Sequence, residues 1–430
     1  MKISTQRLID RWLGQVLCAL LSVWWRISRR WAPTERPHPQ RQLRVLVILL
    51  SEMGSVVLAG PMFEALKKRH PGIELHVLQL HKNQSVMQLL GFVPEHQLHS
   101  INDKSLFALV WSLWRTTRDL RKLGLDGVID CELFSRISAL LSYACGARVR
   151  VGFTPHTQEG LYRGSFINTP VPYNPYLHIS QQFLGLAQAL SPALPLSGFE
   201  LDTLQRERPL NRFATPVPPL TLPAVEVGEI ELHAFRQRLM DDFAVLHEKS
   251  LVLLYVSGGA LPIRAWPEEN YTALAQALLA QGHAVGLIGL PEDKPQALRV
   301  LARCEHEACI DLTGYTKRLR ELLLLFHCAQ LLITNDGGPG HFASLTPIDC
   351  IAFFGPETSK LYGPIHPRFT VLEGQTACSP CLTAYNHRDS FCDGDNQCLK
   401  MIDVDQVLRV TQTKLAMAAS GAHASASPLD

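Results

Sequence analysis

Leu331-Leu-Ile-Thr-Asn-Asp-Gly-Gly-Pro-Gly-His-Phe-Ala-Ser-Leu345 joins an apolar strand pattern, a glycine-rich turn and a helix start in one continuous stretch. Leu331 to Thr334 reads as a short buried strand and Asn335 to Gly338 as a turn. Pro339 fits the first helical position, where a missing N–H costs nothing. The amides and positive dipole end around Gly340 and His341 then suit an anion. A second apolar run, Ile351 to Phe354, enters Gly355-Pro356-Glu357, another strand-to-turn edge. Two such edges in succession point to a phosphate-bearing ligand.

The same grammar extends outward in both directions. Ser250–Val256 and Ala284–Gly289 read as strands, each followed by a helix start, at Trp266-Pro-Glu-Glu-Asn270 and at Pro291-Glu292-Asp293. Asp311 to Gly314 precedes a helix over Leu319–Cys328. Earlier in the chain, Arg44–Leu50 reads as a buried parallel strand, Ser51–Ser55 as its turn, Val56–Arg69 as one helix and Ile73–Leu80 as the next strand. This is a βαβ unit. It is followed by a helix near Ser105–Leu123, a strand at Gly127–Asp130, a helix at Ser135–Cys145 and a strand near Val149–Phe153. Phe153–Asn174, with His156 and Arg163, reads as a surface loop, either lining a cleft or simply covering the surface. A helix over Ile179–Leu190 follows, and a proline-rich link over Ser191–Val227 separates the halves. The expectation is an α/β protein with two Rossmann-like domains facing a cleft. The first turn, Met53-Gly-Ser-Val-Val-Leu-Ala-Gly60, lacks G-x-G-x-x-G, which speaks against a dinucleotide-dependent dehydrogenase.

The chain has 430 residues, 47% of them hydrophobic, and a formal charge of +2. Residues 1–44 carry nine Lys/Arg against two acids, so the remainder is net acidic. That distribution argues against nucleic acid as a partner. Trp12–Trp25 is free of charge but, at 14 residues, is shorter than the roughly 20 needed to span a bilayer. Leu13, Val16, Leu17, Leu20 and Trp24 form one stripe at helical period, with Arg11, Gln15, Cys18, Ser22, Arg26 and Arg29 opposite. This pattern predicts an amphipathic helix at a membrane interface, with docking on the protein's own body as the alternative. Residues 1–40 are thus an interfacial helix and a Pro-rich spacer. Eleven scattered cysteines without a cleavable signal peptide suggest a reducing, cytosolic setting.

Four pieces in order resemble glycosyltransferase family 9, the heptosyltransferases of lipopolysaccharide assembly. They are Val45-Leu-Val-Ile through Gly54–Pro61, Ala265-Trp-Pro-Glu-Glu-Asn270, Thr334-Asn-Asp-Gly-Gly-Pro-Gly-His341 and Phe354-Gly-Pro-Glu357. The resemblance covers roughly residues 43 to 405 and implies the two-domain GT-B fold. It implies an N-terminal acceptor domain at 41–205, a linker at 206–249 and a nucleotide-sugar donor domain at 250–405. It further implies inverting, metal-independent transfer of a sugar, typically heptose from ADP-heptose, to a hydroxyl of a lipid-linked saccharide at the cytoplasmic face of the inner membrane. Such chemistry needs a base, a positive cradle for the departing diphosphate and contacts for the nucleoside. On the donor side the resemblance points to Asp336, Gly337, Gly338, Gly340 and His341 as the cradle, with Arg264 gripping phosphate. Glu292 or Asp293 would meet the ribose and Tyr315 the nucleobase. Each has a plain structural reading too: a turn former for Asp336, a core histidine for His341, helix-start charges for Glu292 and Asp293, and a surface charge for Arg264.

Two departures from the family pattern stand out. The family's first-turn aspartate, its expected base, is Ser55 here, and a serine hydroxyl is no general base near neutral pH. Glu52 is the nearest carboxylate in the turn and the candidate replacement. Gly337-Gly338-Pro339-Gly340 also stands where a hydroxyl-bearing turn is commoner, leaving phosphate recognition to backbone amides. A nucleotide-sugar-binding homologue without catalysis is the competing class of function.

Cys378, Cys381, Cys392 and Cys398 fall within residues 378–398. Such a set can close a structural zinc site or serve as buried or redox-labile thiols, and the spacing leaves both open. The Ala/Ser-rich segment 416–430 reads as a disordered tail.

Overall fold

The computed structural model describes residues 3–28, 42–50, 52–133, 135–154, 162–194, 220, 222, 224–259, 261–383, 390 and 392–419, without the side chains of 3–9, 11 and 419. His156 lies outside the described residues. The chain divides into two compact units, Met1–Leu220 and Thr221–Asp430.

In the first unit six parallel strands lie in the order β3-β2-β1-β4-β5-β6. They are β1 (Arg44–Leu49), β2 (Glu74–Leu80), β3 (Leu98–Ile101), β4 (Gly127–Asp130), β5 (Val149–Phe153) and β6 (Thr169–Val171). Val45 to Leu49 are all buried, each side chain contributing about 1.5–3 kcal/mol of apolar burial. Continuous burial of this kind is what a sheet covered on both faces requires. The helices are α1 (Ile3–Ser28), α2 (Met53–Leu58), α3 (Gly60–Arg69), α4 (Gln84–Leu90), α5 (Leu106–Lys122), α6 (Arg136–Ala144) and α7 (Ile179–Ala193). The chain order runs outward through β2 and β3 on one side of β1, then returns to β4 on the other. Right-handed crossovers therefore put α5 and α6 together on one face. Leu120, Leu141 and Cys145 pack there against Leu46 and Ile48.

The second unit repeats the plan as β12-β11-β10-β7-β8-β9. Its strands are β7 (Leu251–Tyr255), β8 (Ala284–Gly289), β9 (Cys309–Thr313), β10 (Leu331–Asn335), β11 (Asp349–Phe354) and β12 (Phe369–Glu373). Its helices are α8 (Glu229–Asp242), α9 (Glu268–Ala280), α10 (Lys294–Cys304), α11 (Leu319–Cys328), α12 (Gly338–Ala343), α13 (Ser359–Tyr362), α14 (Gln397–Lys400) and α15 (Val404–Ala419).

Several expectations change. The single helix over Val56–Arg69 is two, α2 and α3. Pro61 has no N–H to continue the ladder, and Met62 restarts it by bonding the Ala59 carbonyl at 3.0 Å. Residues 229–242, expected in a linker, form α8 and pack on α11. Residues 416–419, expected in a disordered tail, continue α15. That helix is held by packing on α9 and β10 and by Lys414 on Asp349 at 3.1 Å. Arg163, expected on a surface loop, is buried and ion-paired to the equally buried Asp130.

The N-terminal helix docks on the body of its own unit. Cys18 and Trp25 pack with Ala139, Phe166 and Ile167. The Asp10 carboxylate accepts the α6 amides of Arg136 and Ile137, each at 2.9 Å. The Ser22 hydroxyl accepts from the Ser165 amide at 2.9 Å. The stripe containing Cys18 and Ser22 therefore faces protein rather than lipid headgroups. Leu13, Val16, Leu17, Leu20 and Trp24 remain exposed. No described helix is long and apolar enough to cross a membrane.

Candidate active site

In an open parallel sheet, ligands gather at the carboxyl ends of strands where the chain reverses its direction of travel. In the second unit that point lies between β7 and β10. Asn335, the last residue of β10, spans it. Its Nδ2 donates to the carbonyls of Ser257 at 2.9 Å and Tyr255 at 3.3 Å, and its Oδ1 accepts the Trp266 amide at 2.9 Å. Trp266 is fully buried on Tyr271 and Phe353, with its indole N–H on the Ile402 carbonyl at 2.9 Å. This one carboxamide sets the turn after β7 and the Trp-Pro segment against the turn after β10.

The turn after β10 starts with Asp336, whose amide donates to the Phe353 carbonyl at 3.0 Å, and leads into α12. The amides of a helix's first turn lack intrahelical acceptors, and those of α12 belong to Gly338, Gly340 and His341, Pro339 having none. Gly337 is extended, with φ of 166°, and an added Cβ would have room there and at Gly338. Neither glycine is demanded by local sterics. His341 is buried.

Arg264 is buried rather than solvated, and it lies between two carboxylates: Nε is 3.2 Å from Asp336, and Nη2 is bonded to Glu357. The guanidinium, expected to assist the cradle in gripping phosphate, ties the β10 turn to the β11 turn. Glu292 is exposed, whereas Asp293 is buried and accepts the Leu290 amide at 2.8 Å at the start of a 3₁₀ turn. Tyr315 donates to Asp242 at 2.8 Å, packs edge-on to Phe235 and Phe243, and has Arg238 5.3 Å from its ring centre. Its ring thus rests on α8. A cavity of about 280 Å³ opens beside Trp266, walled by Val256, Pro267, Gln296 and Asn396. None of the donor residues expected from the sequence lines it.

In the first unit the corresponding point lies between β1 and β4. Glu52 is exposed and occupies the N-cap of α2 with extended backbone, its side chain not capping the helix. Ser55, one turn on, is half-buried and donates its amide to the Glu52 carbonyl at 3.0 Å. Across the switch point, Glu132 follows β4 and its Oε1 accepts the Leu50 amide at 2.7 Å. Asp130 accepts from the Glu132 amide at 3.1 Å and from the Ser138 hydroxyl at 3.0 Å, and pairs with Arg163. Burial pushes the Asp130 carboxyl up from its usual range, and the Arg163 charge opposes that. Arg163 also donates to the Ser135 and Phe153 carbonyls, at 3.0 and 3.3 Å, so it braces the β4 and β5 ends.

Asn335, Glu357, Glu132 and Asp130 are site features that pattern reading passed over. Glu357 and Asn335 stand in the Phe354–Glu357 and Thr334–His341 motifs, and position at a strand's carboxyl end is the signal that marks them. Among the described residues no group of three or more His, Cys, Asp or Glu is placed to hold a metal. Cys378 is exposed and Cys381 takes a hydrogen bond from Ser390 at 3.2 Å. Cys398 is buried, which raises its thiol pKa, and the neighbouring Cys381 and Cys378 raise it further.

Two parallel sheets, each with polar side chains pinning its switch point, define a two-unit α/β protein of the GT-B kind. Residues 113–390 match glycosyltransferase family 9 (heptosyltransferase), and the chain belongs to that family. It is 29% identical over 132 residues to lipooligosaccharide heptosyltransferase 2 of Haemophilus influenzae, covering 30% of this chain and 38% of that protein. The Haemophilus ducreyi counterpart is 28% identical over 161 residues, 35% of this chain and 46% of the relative. The chain thus spans less than half the length of these curated relatives. Among solved structures, E. coli ADP-heptose LPS heptosyltransferase II superposes with a TM-score of 0.64 at 19% identity, covering 87% of this chain and 99% of that one. A glycosyl transferase family 9 protein from Veillonella parvula gives 0.63 at 20% identity, with 87% and 97% coverage.

Proposed function

We propose that the protein is an inverting glycosyltransferase that moves a sugar, heptose from ADP-heptose, to a hydroxyl of a lipid-linked saccharide such as lipopolysaccharide core. Family membership supports the reaction class. The observation that carries the mechanism is the exposed Glu52 carboxylate at the end of β1, beside a Ser55 that cannot act as a base.

In this reading Glu52 takes the proton of the acceptor hydroxyl as its oxygen attacks the anomeric carbon. The bond from that carbon to the diphosphate breaks, and its electron pair leaves with the nucleotide. The first-turn amides of α12 meet the charge that develops on the departing phosphate. Arg264 positions that turn through Asp336 and Glu357 and lowers the cost of gathering negative charge there. Glu132 holds the β1 turn through the Leu50 amide and is not the base. The reaction needs no metal in this scheme. Cys378, Cys381, Cys392 and Cys398 are read as thiols, with a structural zinc as the alternative. Metal analysis of the purified protein checks this, and stoichiometric zinc lost in a Cys378→Ser, Cys381→Ser variant overturns it. The enzyme is proposed to work at the cytoplasmic face of the inner membrane, where the acceptor is anchored.

A thermal-shift screen with ADP-, GDP- and UDP-sugars, followed by nucleotide release in the presence of lipid-linked acceptor, tests the proposal. Stabilisation by ADP-heptose and acceptor-dependent ADP release are expected. Stabilisation without release in any pairing would favour the non-catalytic homologue that Ser55 keeps in view. No stabilisation by any nucleotide sugar would refute both readings.

A further inference from the structure

Helix α5 shows two different faces. Leu109, Leu113 and Leu120 point into the core of the first unit. On the opposite face Phe107, Trp111 and Trp114 are 81%, 55% and 53% exposed, in company with Leu106 and Val110. Large apolar side chains clustered at solvent mark an interaction surface rather than ordinary scatter. The same outward stripe continues as Arg115, Arg118 and Arg121, all exposed, with Asp119 the single acid on the helix. The stripe is therefore apolar over its first half and cationic over its second. Arg118 lies 5.6 Å from the Trp114 ring centre, at the edge of an open groove of about 600 Å³ running to Ala144 on α6. Helix α6 packs against α5 on one side and α1 on the other, and presents Ile137 to solvent. Beyond it the exposed stripe of α1 includes Trp12, Leu20 and Trp24 at 65%, 63% and 61%.

We propose that the outward face of α5, continued across α6 to the exposed stripe of α1, is a docking surface for an acidic lipid bilayer. Phe107, Trp111 and Trp114 enter the boundary between headgroups and acyl chains, and Arg115, Arg118 and Arg121 meet lipid phosphates. Tryptophan backed by arginine is the composition that this boundary favours. Charge decides against a second copy of the chain as the occupant. A twofold contact through α5 would set this cationic half either against its own mate or, with the helices antiparallel, against the apolar half, and Asp119 is the single acid available to it in both. An anionic membrane gains from the same charges. The surface deepens the functional reading, since it names what carries the acceptor, but its geometry stands without that reading.

Co-sedimentation of the full chain with vesicles tests it, using phosphatidylcholine alone and phosphatidylcholine mixed with phosphatidylglycerol. Binding to the acidic vesicles, weakened by salt, is expected. The Arg115→Glu, Arg118→Glu variant should lose about tenfold or more in that binding. Phe107→Ser, Trp111→Ser, Trp114→Ser should lose binding as well while α1 stays unaltered. The charge variant changes only exposed residues and keeps the test valid if the apolar variant misfolds. Wild-type binding by the charge variant would overturn the proposal. So would a dimer in light scattering that dissociates in that variant. An unchanged ADP-heptose thermal shift in the variants separates this surface from the donor site. A wild-type protein that binds acidic vesicles but no nucleotide sugar would sink the enzymatic reading alone.

Discussion

The side-chain oxygen of Asn335 accepts the backbone N–H of Trp266 at 2.9 Å, across 69 residues of sequence. The same carboxamide donates to two carbonyls, one at the last residue of β7 and one just beyond it, so one buried group satisfies three backbone groups. Asn335→Ala should cost about 2–4 kcal/mol, because buried groups left without partners lose about 1–3 kcal/mol apiece. Urea unfolding measures this. A loss below half a kilocalorie would show that water replaces the carboxamide freely.

Glu52→Gln keeps the shape of the α2 start and removes the base. Turnover should fall by at least about a hundredfold, in line with general-base contributions. The ADP-heptose thermal shift should be retained. Glu132→Gln also keeps an acceptor oxygen for the Leu50 amide, so it should retain most activity. The opposite ranking of the two variants would transfer the role of base to Glu132.

Arg264→Met leaves Asp336 and Glu357 buried without their shared cation. Removing one partner of a buried ion pair costs about 3–5 kcal/mol. The Arg264→Met, Glu357→Gln double variant should recover part of this, which a double-mutant cycle by thermal unfolding would show. Simple additivity would mean that the two side chains do not act together.

A Cβ at Gly14 would come within 2.8 Å of the Arg136 Cβ, so Gly14→Leu should lift α1 from α6. Faster limited proteolysis between α1 and β1, with the rest of the first unit intact, is the expected outcome. An unchanged cleavage pattern would mean that α1 docks with slack to spare.

Burial, then the neighbouring charge of His76, brings the His99 imidazole down to about 4 from its ordinary 6.5. His76 is lowered as well, chiefly by burial. The unfolded chain takes up protons near pH 6.5, while folded His99 stays neutral until about pH 4. Its contribution to stability is complete above pH 6.5 and is lost as pH falls toward 4. The slope is at most about 1.4 kcal/mol per pH unit for one group, and less for a ring partly open to solvent. His99→Gln should flatten the fall in urea midpoint across this range. An equal slope in the variant would assign the effect to other groups.

Much of the fold was legible because its signals are local. Runs such as Val45 to Leu49 and Leu331 to Ile333 are apolar at every position, which only a sheet covered on both faces tolerates. Gly127–Asp130 and Ala284–Gly289 were bounded to the residue for the same reason. The edge strands β3 and β6 and the short helix α4 were not legible. Their burial comes from neighbours rather than from their own periodicity.

The sequence by itself determined the alternation of strand and helix, the two-unit division and the family motifs, since each rests on residues within a few positions of one another. Only the tertiary structure decided which partners the polar residues of those motifs would have. Glu132 reaches Leu50 across 82 residues, and Arg264 reaches Glu357 across 93. Cys18 and Ser22 turned inward although the stripe beside them is more apolar, because α6 offered a close-packed seat at Gly14 and hydrogen bonds for Asp10, and the Ser165 amide offered one for Ser22. Periodicity reports which face of a helix is apolar, and the neighbouring surface settles which face is covered.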